Sequence, residues 1–152
     1  MTELLAASRA AFLTEVSRSV SPRYRDVAFQ EILDALTEWS VEPHRELEVR
    51  PPGEQHTVSF GVRQTGDVLW AAYPRGDDGA KVVVLPRRFR RLPQKAQTSL
   101  IGQHSVVAPS IRVEGTNTLQ CPMHLLAPDR ALSAYLDLLA EAQGASLDSA
   151  AG

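Results

Sequence analysis

The sequence predicts an α+β fold in which one antiparallel sheet of about five or six strands is covered by helices. Apolar residues recur at helical spacing near both ends of the chain, but between residues 47 and 85 they follow the pattern of strands. Short turns join these strands, which favours antiparallel pairing. We therefore expect one domain over residues 1–144, followed by a disordered tail over residues 145–152.

Two helices are predicted before the sheet. The first covers residues 3–20, where apolar side chains recur at spacings of four and seven. The second begins directly afterwards, because Ser21 suits an N-cap and Pro22 suits the first helical position. Its predicted buried face consists of Tyr24, Ala28, Ile32, Ala35 and Trp39.

Four strands are predicted to follow as a meander, over residues 46–50, 58–63, 68–73 and 80–85. The first two alternate apolar with polar residues and should be half-exposed. The third, VLWAAY, is apolar on both faces, which indicates a central strand. Asp77-Asp78-Gly79, before the fourth strand, is explained by a turn, since its adjacent acids fit neither a calcium loop nor a nuclease motif.

The second half of the chain should complete the sheet and its helical cover. Pro93 opens a short middle helix that ends near Ile101. Residues 110–114 and 118–121 flank Gly115-Thr116-Asn117 and predict a hairpin. Pro128 opens a final helix that Gly144 ends. Its predicted buried stripe consists of Ala131, Leu132, Tyr135, Leu138 and Leu139.

Composition places the chain among ordinary globular proteins. It has 152 residues, of which 43% are hydrophobic and 22% are charged, and its single cysteine excludes an intrachain disulfide. The first twenty residues do not resemble a signal peptide, and the longest apolar run falls far short of the roughly 20 residues that cross a bilayer. We expect a cytoplasmic protein. The predominance of arginine over lysine among the basic residues is typical of GC-rich bacterial genes.

Charge is unevenly distributed along the chain. Residues 1–48 carry a net charge of −4, residues 49–112 carry +6, and residues 113–152 carry −4. The positive region contains LPRRFRRLP at residues 85–93. We call residues 87–95 the cationic segment, since they hold Arg87, Arg88, Arg90, Arg91 and Lys95. Like charges this close repel one another, so they need solvent, carboxylates of the same chain or an external polyanion.

The first functional hypothesis is a non-catalytic binding or adaptor module. The cationic segment and Arg75 would contact nucleic-acid phosphates or an acidic protein surface, because the guanidinium fork suits both. Phe89, Trp70 or Tyr73 could stack on an unpaired base, although core packing is the stronger expectation for Trp70 and Tyr73. The competing interpretation places the arginines on Glu31, Asp34, Glu38 and neighbouring carboxylates of the N-terminal hairpin, or on a solvated turn that has no ligand.

The alternative hypothesis is a small enzyme acting on an anionic substrate. Arg75, Arg87 or Arg88 would hold the anion, and His104 or His124 would act as acid or base. The sequence contains no phosphate-binding loop and no serine-hydrolase motif. Cys121-Pro122-Met123-His124 is only half a zinc motif, and the other histidines fall in predicted loops. No metal or cofactor is therefore expected, and Cys121 is interpreted as a buried structural cysteine.

Overall fold

The α+β prediction is confirmed, and the sheet is antiparallel throughout. The computed structural model describes residues 2–76, 79–127 and 129–151, so the predicted turn acids Asp77 and Asp78 and the predicted helix start Pro128 lie outside it. Within these residues the strand order is β1-β2-β3-β4-β6-β5. The strands are β1 (Leu47–Val49), β2 (Val58–Val62), β3 (Val68–Tyr73), β4 (Lys81–Val84), β5 (Ile111–Val113) and β6 (Thr116–Pro122).

Helices at both ends of the chain contact this sheet, and the middle helix contacts the last helix. They are α1 (Glu3–Ser19), α2 (Phe29–Val41), α3 (Gln94–His104) and α4 (Asp129–Ala151). Short 3-10 turns occupy Pro22–Tyr24, Pro43–Arg45, Phe89–Arg91 and Met123–Leu126. Among the described residues, no helix has both the length and the apolar character needed to cross a membrane.

The predicted start of the second helix is wrong. Ser21 does cap a helical turn, but this is the 3-10 turn Pro22–Tyr24, and the α-helix begins only at Phe29. Ile32 and Trp39 of the predicted face are buried, but Phe29, Leu33 and Leu36 also enter the core, and Ala28 is exposed at the N-cap. Larger apolar side chains gain more from burial than alanine, so they decide which face points inward.

The predicted end of the last helix is also wrong. The helix α4 continues through Gly144 to Ala151, so residues 145–151 are helical rather than a separate tail. Ser146 is fully buried and donates a hydrogen bond from Oγ to Asp67 Oδ2 over 2.8 Å. Contacts of this kind offset the roughly 1 kcal/mol by which glycine disfavours a helix.

The sheet supplies much of the core. Trp70 on β3 is fully buried, stacks on Phe60 at 5.4 Å between ring centroids, and donates from Nε1 to Ser40 Oγ over 2.8 Å. Every residue of β2 is buried, which corrects the prediction of a half-exposed strand. Arg50 explains part of this, because its side chain lies against Gly61 and donates from Nη2 to the Gly66 carbonyl over 2.5 Å.

The predicted hairpin is confirmed, with a turn one residue earlier than expected. Val113 pairs with Thr116, so the turn consists of Glu114 and Gly115. Both turn residues have positive φ, 52° and 80° respectively. A two-residue turn with positive φ at both positions matches the twist of the flanking strands. The residues Ile111 and Val113 on β5 remain 43% and 45% exposed.

Candidate functional site

The cationic segment is held against the core by three apolar side chains. Leu85, Phe89 and Leu92 are 0%, 3% and 4% exposed. Their spacing of four and three places them on one face of the turn that the chain makes after β4. Backbone hydrogen bonds from Leu85 to Leu69 and from Phe89 to Leu85 fix this path. Of the intervening basic residues, Arg87, Arg90 and Arg91 are exposed.

Four cations of the segment lie at the surface. Arg87, Arg90, Arg91 and Lys95 are all exposed. Within the described chain, none of their side chains makes an ion pair or a hydrogen bond. No described carboxylate therefore neutralises these four charges.

Arg88 differs from its neighbours because its side chain points into the protein. It donates from Nη2 to Ser149 Oγ over 2.5 Å, and its Nε lies 3.7 Å from Asp67 Oδ2. Asp67 also accepts the hydrogen bond from Ser146 described above. Arg88 thus ties the segment to α4 and to the turn between β2 and β3. Neighbouring sequence gives no sign of these partners, which lie 21 and 61 positions away.

Arg75 is also paired within the chain, through an ion pair with Glu15 of α1. The competing interpretation, in which the segment docks on carboxylates of α2, is not what the structure shows. Asp34 instead binds Arg9 through two contacts of 2.7 and 3.0 Å. Glu31 and Glu38 are exposed and make no ion pair with a described residue.

The aromatic side chains considered for base stacking lie mostly in the core. Trp70 is fully buried and Phe89 is 3% exposed, so neither ring presents a free face to solvent. The expectation of core packing for Trp70 is confirmed. Tyr73 is half-buried, and Lys81 Nζ lies 5.6 Å from its ring centroid. The exposed part of the segment therefore offers guanidinium groups without an aromatic stacking surface.

The histidines of the enzyme hypothesis are placed differently from one another. His104 is not in a loop: it is the last residue of α3, is fully buried, and donates from Nδ1 to the Ala108 carbonyl over 2.6 Å. Burial lowers the pKa of His104 below its usual value. His124 is half-buried and stacks on Tyr24 at 4.2 Å between ring centroids. His104 thus has no access to a dissolved substrate in this conformation.

Cys121 is fully buried on β6, and burial raises the pKa of its thiol to about 12. A thiol in this environment stays protonated and unreactive near neutral pH. No group of three metal-binding side chains occurs among the described residues.

One shallow cavity joins an arginine to a histidine. It has a volume of about 310 Å³ and is lined by Arg75 and His56 together with Glu15 and Glu54. Two carboxylates face one guanidinium there, so the electrostatic potential does not favour an anionic substrate.

A second cavity adjoins the cationic segment. It has a volume of about 340 Å³ and lies between the end of β4, the 3-10 turn Phe89–Arg91 and the β5–β6 hairpin. Arg90 lines it from the segment, and Glu114 and Asn117 line it from the hairpin. The exposed cations therefore lie next to a concave surface of mixed polarity.

Comparison with protein-family models, with curated proteins and with solved structures finds no match to this chain. The candidate site is accordingly defined by its own geometry. It consists of an exposed cationic segment that Leu85, Phe89 and Leu92 anchor to the core and that a cavity borders.

Proposed function

We propose that the protein is a non-catalytic binding module whose cationic segment contacts the phosphates of a nucleic acid. One observation carries the proposal. Arg87, Arg90 and Arg91 expose three guanidinium groups within five residues, and no described carboxylate pairs with them. Their mutual repulsion is relieved when a polyanion binds. The guanidinium fork also fits a phosphate group in a bidentate manner.

The start of α3 supports the same ligand chemistry. Its N-cap position is Pro93, which offers no side-chain hydrogen bond to the helix, and its first turn contains no acidic residue. The partial positive charge of this helix end therefore adds to that of Lys95 in the first turn. Positive potential at the segment thus has a backbone contribution as well as a side-chain contribution.

Phosphate contact by these groups would be largely independent of sequence. The whole chain has a net charge of −2, so attraction is local to the segment rather than a property of the molecule. Such an interaction weakens steeply with salt, because each phosphate contact releases condensed counterions. Salt dependence is therefore the most direct quantitative test.

The experiment measures the fluorescence anisotropy of a labelled oligonucleotide across a salt series. For the wild-type protein we expect the logarithm of the affinity to fall against the logarithm of the salt concentration with a slope of about −3 to −4. The triple variant R87A/R90A/R91A should reduce the magnitude of this slope by about 2 to 3, since three phosphate contacts are lost.

The matched control is R18A/R25A/R130A, which removes the same charge from exposed arginines outside the segment. It should leave the slope nearly unchanged. Absence of binding at about 50 mM salt would refute the proposal, as would an equal loss in the control. Binding of polyglutamate without binding of any oligonucleotide would instead support an acidic protein partner.

A further inference from the structure

We infer that the cavity beside the cationic segment receives an unpaired nucleobase, so that the bound nucleic acid is single-stranded. This inference rests on the proposed function and adds to it a second contact and a ligand class. The contact between the two features is Arg90, which belongs to the segment and also lines the cavity. A strand whose phosphate binds Arg90 therefore has a neighbouring base at the cavity mouth.

The size of the cavity suits a ring-sized group. Its volume of about 340 Å³ lies near the lower limit of small-molecule sites, which span roughly 300 to 1,000 Å³. A duplex cannot enter such a space unless a base leaves the helical stack, which breaks its pairing and stacking. An unpaired base has already lost its partner, so a single strand enters at lower cost.

The walls combine the two kinds of surface that a base requires. Pro86 and Val113 provide apolar contact, while Thr116 and Asn117 provide polar groups. Nucleobases have flat faces that pack on apolar or aromatic groups and edges that form hydrogen bonds. A cavity with only one of these surfaces would leave either the base face or the base edge without a partner.

Hydrogen-bonding groups on the hairpin remain available. Asn117 accepts a 3.5 Å contact from Ser110 at Oδ1, which leaves its amide nitrogen without a partner in the described chain. The hydroxyl of Thr116 likewise makes no hydrogen bond to a described residue. Both side chains are half-buried. A base edge in the cavity would satisfy these groups.

Charge on the cavity rim also favours one orientation of the strand. Glu114 lines the cavity from the hairpin turn and is exposed, whereas Arg90 lines it from the segment. The carboxylate repels phosphate and the guanidinium attracts it. The backbone of the strand should therefore follow the segment, with the base directed away from it into the cavity.

The test compares three labelled probes of equal length by fluorescence anisotropy at one salt concentration: a single strand of mixed sequence, an abasic single strand, and a duplex. We expect the base-bearing strand to bind about tenfold tighter than the abasic strand, which is the range of one base contact. The variant V113A/N117A should lower this ratio to about twofold while the affinity for the abasic strand stays unchanged.

The matched control is I111A. Ile111 lies on the same strand as Val113 and is similarly exposed, at 43% against 45%, but does not line the cavity. The control should retain the tenfold ratio, and circular dichroism should show that both variants fold.

The possible outcomes separate the two proposals. Equal affinity for base-bearing and abasic strands would overturn the inference while leaving phosphate binding intact. Tighter binding of the duplex than of the single strand would also overturn it. Failure of all three probes to bind would refute the proposed function and this inference together.

Discussion

Arginine side chains on the inner and outer sides of the cationic segment differ in their contacts with the rest of the protein. Arg88 turns inward and contacts Asp67 and Ser149, whereas Arg87 and Arg90 remain exposed and have no charged partner among the described residues. The difference follows from position relative to the apolar residues that anchor the segment. An arginine on the anchored side is constrained by the fold, and its loss should cost stability. An arginine on the outer side can be removed with little effect on folding, and its loss should cost ligand affinity.

The largest expected loss of stability follows from removing the apolar anchor of the segment. Phe89 is 3% exposed, so the substitution F89A should lower the free energy of unfolding by about 3 to 5 kcal/mol, through lost burial and the cavity that remains. Urea denaturation measures this change. V106A serves as control, because Val106 is 75% exposed. A loss below about 1 kcal/mol for F89A would show that the ring does not anchor the segment.

The polar anchor should have the next largest effect. The substitution D67A removes the acceptor for Ser146 and the charge beside Arg88. Leaving Ser146 without its acceptor and Arg88 without a nearby carboxylate should cost about 1 to 3 kcal/mol in chemical denaturation. D137A removes a carboxylate from an exposed position on α4 and should change stability little. Equal effects of the two substitutions would contradict the anchoring role of Asp67.

A pH effect is expected at the far end of α3, which follows the segment. His104 has a lowered pKa in the folded state because it is buried, so the unfolded chain takes up a proton more readily. Stability is therefore complete above about pH 6.5 and falls as the pH drops below that value, by at most about 1.4 kcal/mol per pH unit for this group.

Denaturation midpoints at pH 7.5, 6 and 5 test this expectation. Each of these pH values lies about half a unit or more from the pKa of a free histidine. The variant H104Q cannot titrate at this position, and its stability should depend less on pH over the same interval. An unchanged pH dependence in H104Q would assign the effect to other groups.

The smallest expected effect on stability is on the outer side of the segment. R87A/R90A/R91A should change the free energy of unfolding by less than about 0.5 kcal/mol, because these side chains are exposed and form no ion pair with a described residue. Removing mutual repulsion could even stabilise the protein slightly. A loss above about 1 kcal/mol would mean that the outer arginines also hold the fold, and the contrast between the two sides would not stand.

Sequence patterns predicted the strands well because their signal is local. The period of two, the apolar run of β3 and the turn residues all act within a few positions, and the observed strands agree with them. The burial of β2 was missed in part because a side chain from outside the strand contributes to it: Arg50 lies against Gly61. The end of α4 was missed for a similar reason, since Ser146 finds its partner Asp67 79 positions away.

In the candidate site too, local sequence patterns predicted some features, whereas contacts between distant residues decided others. The exposed cations could be named from composition and spacing, and the positions of Leu85, Phe89 and Leu92 indicate which side of the segment faces inward. The separation of Arg88 from its neighbours could not be foreseen, because Asp67 and Ser149 approach it only in the folded chain. The adjoining cavity is likewise formed by two stretches that are distant in sequence.

By itself, the sequence determined an antiparallel α+β architecture and a dense group of cations after the fourth strand. Short-range chemistry suffices for both, since periodicity and turn preference act between near neighbours. Only the tertiary structure decided which cations are neutralised, which histidine is buried and where a cavity opens. Those properties depend on side chains that packing brings together from remote positions, and their energies are absent until the chain has folded.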